Sequence, residues 1–516
     1  MTNSEDRTQV EQVSRRNIAG LLLGAVGASL ATSSIGCASE VGAAEALGES
    51  GEGLIQDLDS YAALRAISWL GTTPSSRMLA VRGREVASDG GEGIFIWDGS
   101  FQPGSYYDND GTYLKPNHYS PSQAGRWRRV RDDAINVLWF GADPSGQVSS
   151  LLAFQRAATA AGAGGTVFVP RGVYLLPPDS GFLWWARRWV GERLHPVSQY
   201  GTVIRPLSGG TTLVTTGNSA TSIENIAFDG KRIDVDTTHE VDVCLHLKNA
   251  HNSTLRNVSV ENAKVAGLKA ESVAFLLAEH VLASRCAVGI QLHNCTGTNL
   301  VSPIATFCSG PGLELVGGAG NTASPYAGTL TVLNASIDSC GTDGVSPLCR
   351  VYGLEGGVVQ FSYLHVNTGE SPTGLLVDGN THNVRFVGAY FEHATAAVLA
   401  DIANTRACSF EQFAAPGPST TTNRILIDAN TCRELSFSSC YRASRTSEEP
   451  TNLEWDDGST TWVASARDGQ LQATAPPPSG FGVWQAGQQV HNSAPATGQP
   501  LGWIYSGSSW LSMPTL

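Results

Sequence analysis

At 516 residues the chain is too long for one compact hydrophobic core, so it must either divide into domains or grow as a continuous stack. Charged residues make up only 15% of it and glycines number 57, a balance that suits turn-rich β structure and argues against a mainly helical protein. A net charge of −13 excludes a general nucleic-acid binder, which would carry basic stripes, although an acidic polymer could still be held by local arginine or lysine clusters.

In chain order, Ser14-Arg15-Arg16-Asn17-Ile18 precedes the apolar run Ala19 to Ala31, which is too short to span a bilayer as a mature helix. Paired arginines in that position resemble a twin-arginine export signal, with an ordinary secretory signal as the alternative. Ser34-Ile-Gly-Cys37 is similar to a bacterial lipoprotein cleavage site, with Ser where Leu is usual, so Cys37 is a candidate for lipidation and membrane attachment. Residues 1–37 are therefore expected to be a signal region, and the mature protein to be periplasmic, outer-membrane-attached or extracellular. The remaining nine cysteines include Cys286, Cys308 and Cys340 at one repeated phase, where they would form a buried ladder or a disulfide. No Cys/His spacing suits zinc.

Residues 38–58 are small and polar, as in a linker. Over 59–130, Gly90-Gly-Glu-Gly-Ile-Phe-Ile-Trp97, Asp108-Asn-Asp-Gly-Thr112 and Gly125-Arg-Trp-Arg128 combine glycine turns with short aromatic strands and predict a small β module. The spacing of Leu151-Leu-Ala-Phe-Gln-Arg-Ala-Ala-Thr-Ala-Ala161 predicts a helix, followed by the strand Gly165-Thr-Val-Phe-Val169. Such a helix would cover the open end of a β stack.

From there to about residue 475 the chain repeats loosely. Asp229, Glu261, Ser284, Thr306, Asp338, His365 and Glu392 each end a short alternating strand, at steps of 22 to 32 residues. A second apolar run follows most of them, as in Gly289-Ile-Gln-Leu-His293, Gly312-Leu-Glu-Leu315 and Gly374-Leu-Leu-Val-Asp378. A fixed-phase repeat of strands without helical segments means a β-solenoid, with insertions at its turns. Residues 476–516 lie beyond the repeats.

Trp139-Phe-Gly-Ala142, the alanine-rich helix and Gly165-Thr-Val-Phe-Val-Pro-Arg-Gly-Val-Tyr174 together resemble the opening of the pectate-lyase-like right-handed parallel β-helix superfamily, an opening shared by bacteriophage tailspike depolymerases. The 91–128 module and the stretch from Gly482 to Trp510 are similar to modules that flank the helix in tailspike-like proteins, which implies a small C-terminal β module over 476–516. The resemblance spans nearly the whole mature chain and implies a right-handed parallel β-helix for 131–475. It also implies a polysaccharide partner and leaves room for a homotrimer. Family acids before the capping helix are replaced here by Ser149-Ser150. The carboxylate cluster and His-Gly of polygalacturonase-type hydrolases are absent, as is the arginine-centred motif of calcium-dependent pectate lyases.

Equivalent positions on adjacent rungs lie about 4.8 Å apart. Alternation puts Ile337, Leu364 and Phe391 inside, so Asp338, His365 and Glu392 would form one outward column, with Ser336, Tyr363 and Tyr390 in the next. Carboxylates, an imidazole and phenols in one patch are the types that acid–base catalysis needs. In β-elimination on a uronic-acid polymer, His365 or a tyrosine would take the proton and a tyrosine would protonate the leaving oxygen. In glycoside hydrolysis, Asp338 and Glu392, two rungs or roughly 9–10 Å apart, would suit inversion. Lys231 and Arg232 open a charged insertion with Asp229 and Glu261 at its base, a groove wall or a site for a hard cation such as calcium. Trp184, Trp185, Arg187 and Arg188 could stack on sugars and pair with their acid groups. His293, Asp378, Asp401 and Asp428 end second-run strands, and Asn294, Asn380 and Asn430 are expected to form a structural turn ladder. The expected function is cleavage of an exported enzyme's extracellular polysaccharide substrate, by a lyase in preference to a hydrolase, with a non-catalytic carbohydrate-binding or adhesion protein as the competing class.

Overall fold

In a computed structural model of the chain, the residues described are 56–68, 78–102, 108–131, 134–180, 188–192, 201–217, 220–231, 240–318, 330–365, 373–388, 391–392, 398–416, 424–438, 441–443, 448–450, 452–467 and 470–515. For 362–365, 391–392, 414–416, 441–443, 448–450, 452 and 466–467 only the backbone is described.

Each turn of the chain adds one strand to each of three parallel ladders. Thr254–Arg256, Ser259–Glu261 and Ala266–Glu271 make one rung, and Leu277–Glu279 then returns to pair in parallel with Thr254–Arg256. The first ladder runs from Ala134–Asn136 to Ser436–Ser438, the second from Ser145–Ser149 through Phe391–Glu392, and the third from Gly210–Gly217 to Asn452–Asp456.

Strict alternation within each strand builds the core. In the first ladder Ile223, Leu255, Ala278, Leu300, Val332 and Val359 stack one above another, all fully buried or nearly so. Further on, Phe386, Phe410 and Phe437 continue the column as stacked rings 4.9 and 5.2 Å apart. Identical register with similar side chains lets each rung template the next.

The corner between first and second ladders is a single residue in the left-handed region: Asn225, Asn257, His280, Ser302 and Asn334, with φ from 50° to 58°. A short polar side chain tolerates that conformation best. Asn257 Nδ2 donates to Asn225 Oδ1 at 3.1 Å, so the asparagine ladder forms here. At the corner after the third ladder the amides bond elsewhere: Asn404 Nδ2 donates to Asp378 and Asn430 Nδ2 to the Asp457 carbonyl. Of the expected turn ladder of Asn294, Asn380 and Asn430, Asn430 bonds from one rung to the next, to a backbone carbonyl and not to another asparagine.

The helix Leu151–Ala161 buries Ala153, Phe154, Ala157 and Ala158, and Phe154 stacks on Trp189 at 5.8 Å. Before it, the Asp143 carboxylate accepts from the Ser145, Gln147 and Val148 backbone N–H groups and the Ser145 hydroxyl. An acid therefore does organise the approach to the helix, some residues upstream of Ser149-Ser150. The N-terminal module is a sheet of Gln56–Leu58, Met78–Val81, Gly93–Asp98, Arg126–Arg129 and Tyr113–Leu114. Asp110 joins it to the helix by accepting from Arg65, Arg84 and, on the helix itself, Arg156.

At the other end the third ladder turns antiparallel through Thr461–Arg467 and Gln470–Ala473, and Gln489–Asn492 extends the same sheet across the boundary expected at 475. Trp455, Trp462 and Trp484 cluster with centroids 5.1 to 5.9 Å apart and cover the last rungs. Cys286, Cys308 and Cys340 are buried and unbridged, a thiol ladder as one of the two expectations had it.

Candidate functional site

The column read from the repeat exists. Asp229 pairs with Glu261, Glu261 with Ser284, Ser284 with Thr306, Thr306 with Asp338, Asp338 with His365, and His365 with Glu392. Ser336 pairs with Tyr363 in the neighbouring column. Ile337 is buried and Asp338 half-buried beside it. For Tyr363, His365 and Glu392 only the backbone is described, and Tyr390 lies outside the described residues. Upstream, pointing away from the core does not mean exposure: Asp229 is fully buried, as is nearly all of Glu261. Asp229 accepts from Arg205 Nε at 2.9 Å, Asn262 Nδ2 at 2.8 Å and the Lys231 backbone at 3.2 Å, so its oxygens are committed to protein donors.

Of the charged insertion, Lys231 and Glu240 are described: Lys231 Nζ lies 3.1 Å from Glu240, which also takes Lys264 at 3.7 Å. Arg232, Trp184, Trp185, Arg187 and Cys37 lie outside the described residues. Arg188 stands on the outward face of the first ladder, bound at two nitrogens to Glu224. Among the described residues no three His, Cys, Asp or Glu side chains converge as metal ligands would.

The outward face of the third ladder carries two clusters of interacting ionisable groups, histidines among them. One column there runs His246, Lys269, Gln291, Glu314, Arg350. The next, two residues along each strand, runs Lys248, Glu271, His293, Val316, Tyr352, Asp378. Side chains bridge the two columns. His246 Nε2 meets Glu271 Oε2 at 3.2 Å, and Lys269 stands 3.8 Å from the same oxygen. One rung on, Gln291 donates to Glu314 Oε2 at 2.5 Å, Arg350 stands 3.3 Å from its other oxygen, and His293 Nε2 faces Oε2 at 3.6 Å. The Arg350 guanidinium lies 5.7 Å over the Tyr352 ring.

Each group has an identifiable electrostatic condition. Burial, then Lys269, pushes the His246 imidazole below its usual value against the pull of Glu271. Burial alone would raise the Glu271 carboxyl, but Lys269 and His246 outweigh it and hold it below the usual range. Glu314 is held low by His293 first, then by Gln291 and Arg350, against burial. Both glutamates are therefore anionic near neutrality. The Nε2 of His293 is buried and faces the Glu314 carboxylate at 3.6 Å. Further down the same face, burial and then Asp378 and Asp428 raise the Asp401 carboxyl.

Sequence reasoning aligned these strands correctly but read them as structural. The signal was present in Gly289-Ile-Gln-Leu-His293 and Gly312-Leu-Glu-Leu315, whose outward positions carry Gln291, His293 and Glu314. Arg350 and Tyr352 escaped because the insertion after Asp338 separates them from the repeat.

No protein-family profile matches the sequence, and no curated protein is similar to it. Solved structures do match in fold. Full-length tailspike protein 2 from Escherichia coli O157:H7 bacteriophage CAB120 aligns with a TM-score of 0.50 at 13% identity, over 74% of this chain and 51% of that one. The enzymatically active domain of tailspike protein 2 of bacteriophage CBA120 gives 0.48 at 14% identity, over 74% of this chain and 57% of that one. A glycan biofilm-modifying enzyme of Pantoea stewartii gives 0.43 at 14% identity, over 87% and 56%. The chain spans a little over half the length of these relatives. Its fold is a right-handed parallel β-helix, similar to that of phage tailspikes.

Proposed function

We propose that this protein is an enzyme that cleaves a uronic-acid-containing polysaccharide by β-elimination on the outward face of its third ladder. The carrying observation is the grouping of His293, Glu314, Arg350 and Tyr352 within neighbouring rungs. In this reading Arg350 neutralises the substrate carboxylate, which makes the adjacent carbon acid more acidic. Glu314 orients His293, whose Nδ1 takes the proton from that carbon. Tyr352 protonates the oxygen that leaves as the double bond forms. A positioned acid and base of this kind contribute about 10²–10⁴-fold each. Glu271 and Glu314 are both held ionised, which suits electrostatic support of an imidazole and does not suit the proton-donating acid of a glycosidase.

A second reading, hydrolysis, is favoured by one observation: Asp401 has a raised carboxyl and so resembles a general acid, with Asp378 beside it. The second-ladder column of Asp338, His365 and Glu392, with Tyr363 and Tyr390, is the alternative centre for either reaction. Export, with attachment through Cys37, belongs to the same proposal, because the polymers in question lie outside the cell.

Incubation with a panel of uronic-acid and neutral polysaccharides tests the reaction. Ultraviolet absorbance of an unsaturated uronide at the new chain end is the expected result. New reducing ends without that absorbance would replace the lyase with a hydrolase, and binding without cleavage would make the protein an adhesin.

A further inference from the structure

The corners that follow the third-ladder strands Thr373–Asp378, Val398–Ile402 and Arg424–Asp428 enclose an open groove of about 610 Å³. That lies within the roughly 300–1,000 Å³ typical of ligand sites. Arg406 and Arg433 line it and pair with each other in parallel register, so their backbones are about 4.8 Å apart. Both are exposed, and neither makes a side-chain hydrogen bond or ion pair among the described residues. Their counterparts on the first ladder behave differently: Arg188, Arg256 and Arg385 each hold a glutamate on a neighbouring rung.

The nearby acids Asp378, Asp428 and Glu434 accept hydrogen bonds from neutral groups and not from these two arginines. Asp378 accepts from Asn404 Nδ2 at 2.8 Å and the Gly379 N–H at 2.6 Å. Asp428 accepts from the Thr431 hydroxyl at 2.6 Å and the Asn430 N–H at 2.9 Å, and Glu434 from Gln485. Two stacked guanidinium groups without an ion-pair partner among the described residues leave donors that an anionic ligand would meet. Two guanidinium forks at ladder spacing match a carboxylate or a sulfate.

The groove also has an aromatic side. The Tyr352 ring lies against Gly379, whose φ is +72° and where a Cβ would come 2.7 Å from the ring, so only a glycine lets the ring lie there. That tyrosine lines the groove and also has the Arg350 guanidinium 5.7 Å from its ring centre, so it is shared by the groove and the cluster on the sheet.

We propose that this groove is a subsite for an anionic sugar, in which Arg406 and Arg433 bind the acid group of a residue next to the bond that is cleaved. The inference rests on the polysaccharide reading above and deepens it by placing charge selection in the corners rather than on the sheet. Its test is calorimetric binding to the full chain carrying His293→Ala, so that substrate is not consumed. The probes are hexasaccharides of galacturonate and mannuronate for carboxylate, sulfated maltohexaose for sulfate, and cellohexaose as the neutral control. At least one anionic probe should bind, and the more tightly held one identifies the group. Arg406→Ala with Arg433→Ala should weaken that binding by about 100-fold, roughly ten-fold for each charged hydrogen-bonding partner lost. The double lysine variant should recover part of it, and rising salt should erode it. Affinity unchanged by the alanine pair, or no anionic probe bound, overturns the groove. If unchanged affinity accompanies normal turnover in the parent protein, only the groove falls. If arginine-dependent binding accompanies no turnover, the enzyme reading falls and the groove stands.

Discussion

The outward faces of the first and third ladders are built on the same backbone but use charge differently. On the first, Arg188–Glu224, Arg256–Glu279 and Arg385–Glu411 pair acid with base across rungs, at the surface. On the third, His246 with Glu271 and His293 with Glu314 form two adjacent, partly buried clusters, and Arg406 and Arg433, in the corners nearby, have no ion-pair partner among the described residues. Matched charge in water does little beyond keeping a sheet soluble and in register. Imidazoles packed against carboxylates in partial burial are costly to assemble and chemically poised, which is the pattern expected of a reaction centre. The difference teaches that polar columns on a solenoid must be read by their partners, not by their residue types.

The largest effect that would sharpen this contrast is on turnover. His293→Ala should lower the rate of polysaccharide cleavage by about 10²–10⁴-fold, and Tyr352→Phe by a similar factor, both with thermal unfolding unchanged. His365→Ala, on the second ladder, should leave the rate close to that of the parent; a rate loss confined to His365→Ala would move the centre to the Asp338–His365–Glu392 column. Asp401→Asn separates the reactions, since it should spare a lyase and disable a hydrolase.

Stability comes next. Removing the buried Asp229 carboxylate with Asp229→Ala strands Arg205 and should cost about 3–5 kcal/mol in urea unfolding. Glu224→Ala on the exposed first-ladder face should cost about 0–1 kcal/mol. Equal costs would erase the distinction between the buried column and the paired surface.

The smallest effect is a pH slope. The His246 imidazole is depressed in the folded state, so the unfolded chain binds more protons in the interval below the ordinary imidazole value. Stability from this group is therefore full above about pH 6.5 and is lost as pH falls through the lower, folded value. His246→Gln should flatten that part of the stability curve, and a nuclear magnetic resonance titration should place His246 below the usual histidine range. A midpoint above that range would remove Lys269 and burial as the governing influences.

Much of the fold was legible because a parallel stack writes its geometry into the sequence twice: once as alternation within strands and once as phase between rungs. That is why Asp229 through Glu392 pair as the repeat implied, despite steps of different length. Phase does not encode exposure, and Asp229 shows it: the residue points away from the core yet lies under Arg205 and Asn262. Nor does it encode partners. His293 looked like a strand end until its nitrogen was seen facing Glu314, a residue on the following rung that belongs to another local motif. Arg406 and Arg433 carried no signal at all, because their significance is the lack of an ion-pair partner among the described residues, which no sequence pattern shows.

The most direct test of the central claim is the ultraviolet assay for unsaturated uronide with the His293→Ala protein, on whichever acidic polysaccharide the parent degrades. Placing the acid–base centre on the third ladder predicts that the absorbance disappears while the variant remains folded and still binds the polymer. Parent-like formation of the unsaturated product by that variant would contradict it.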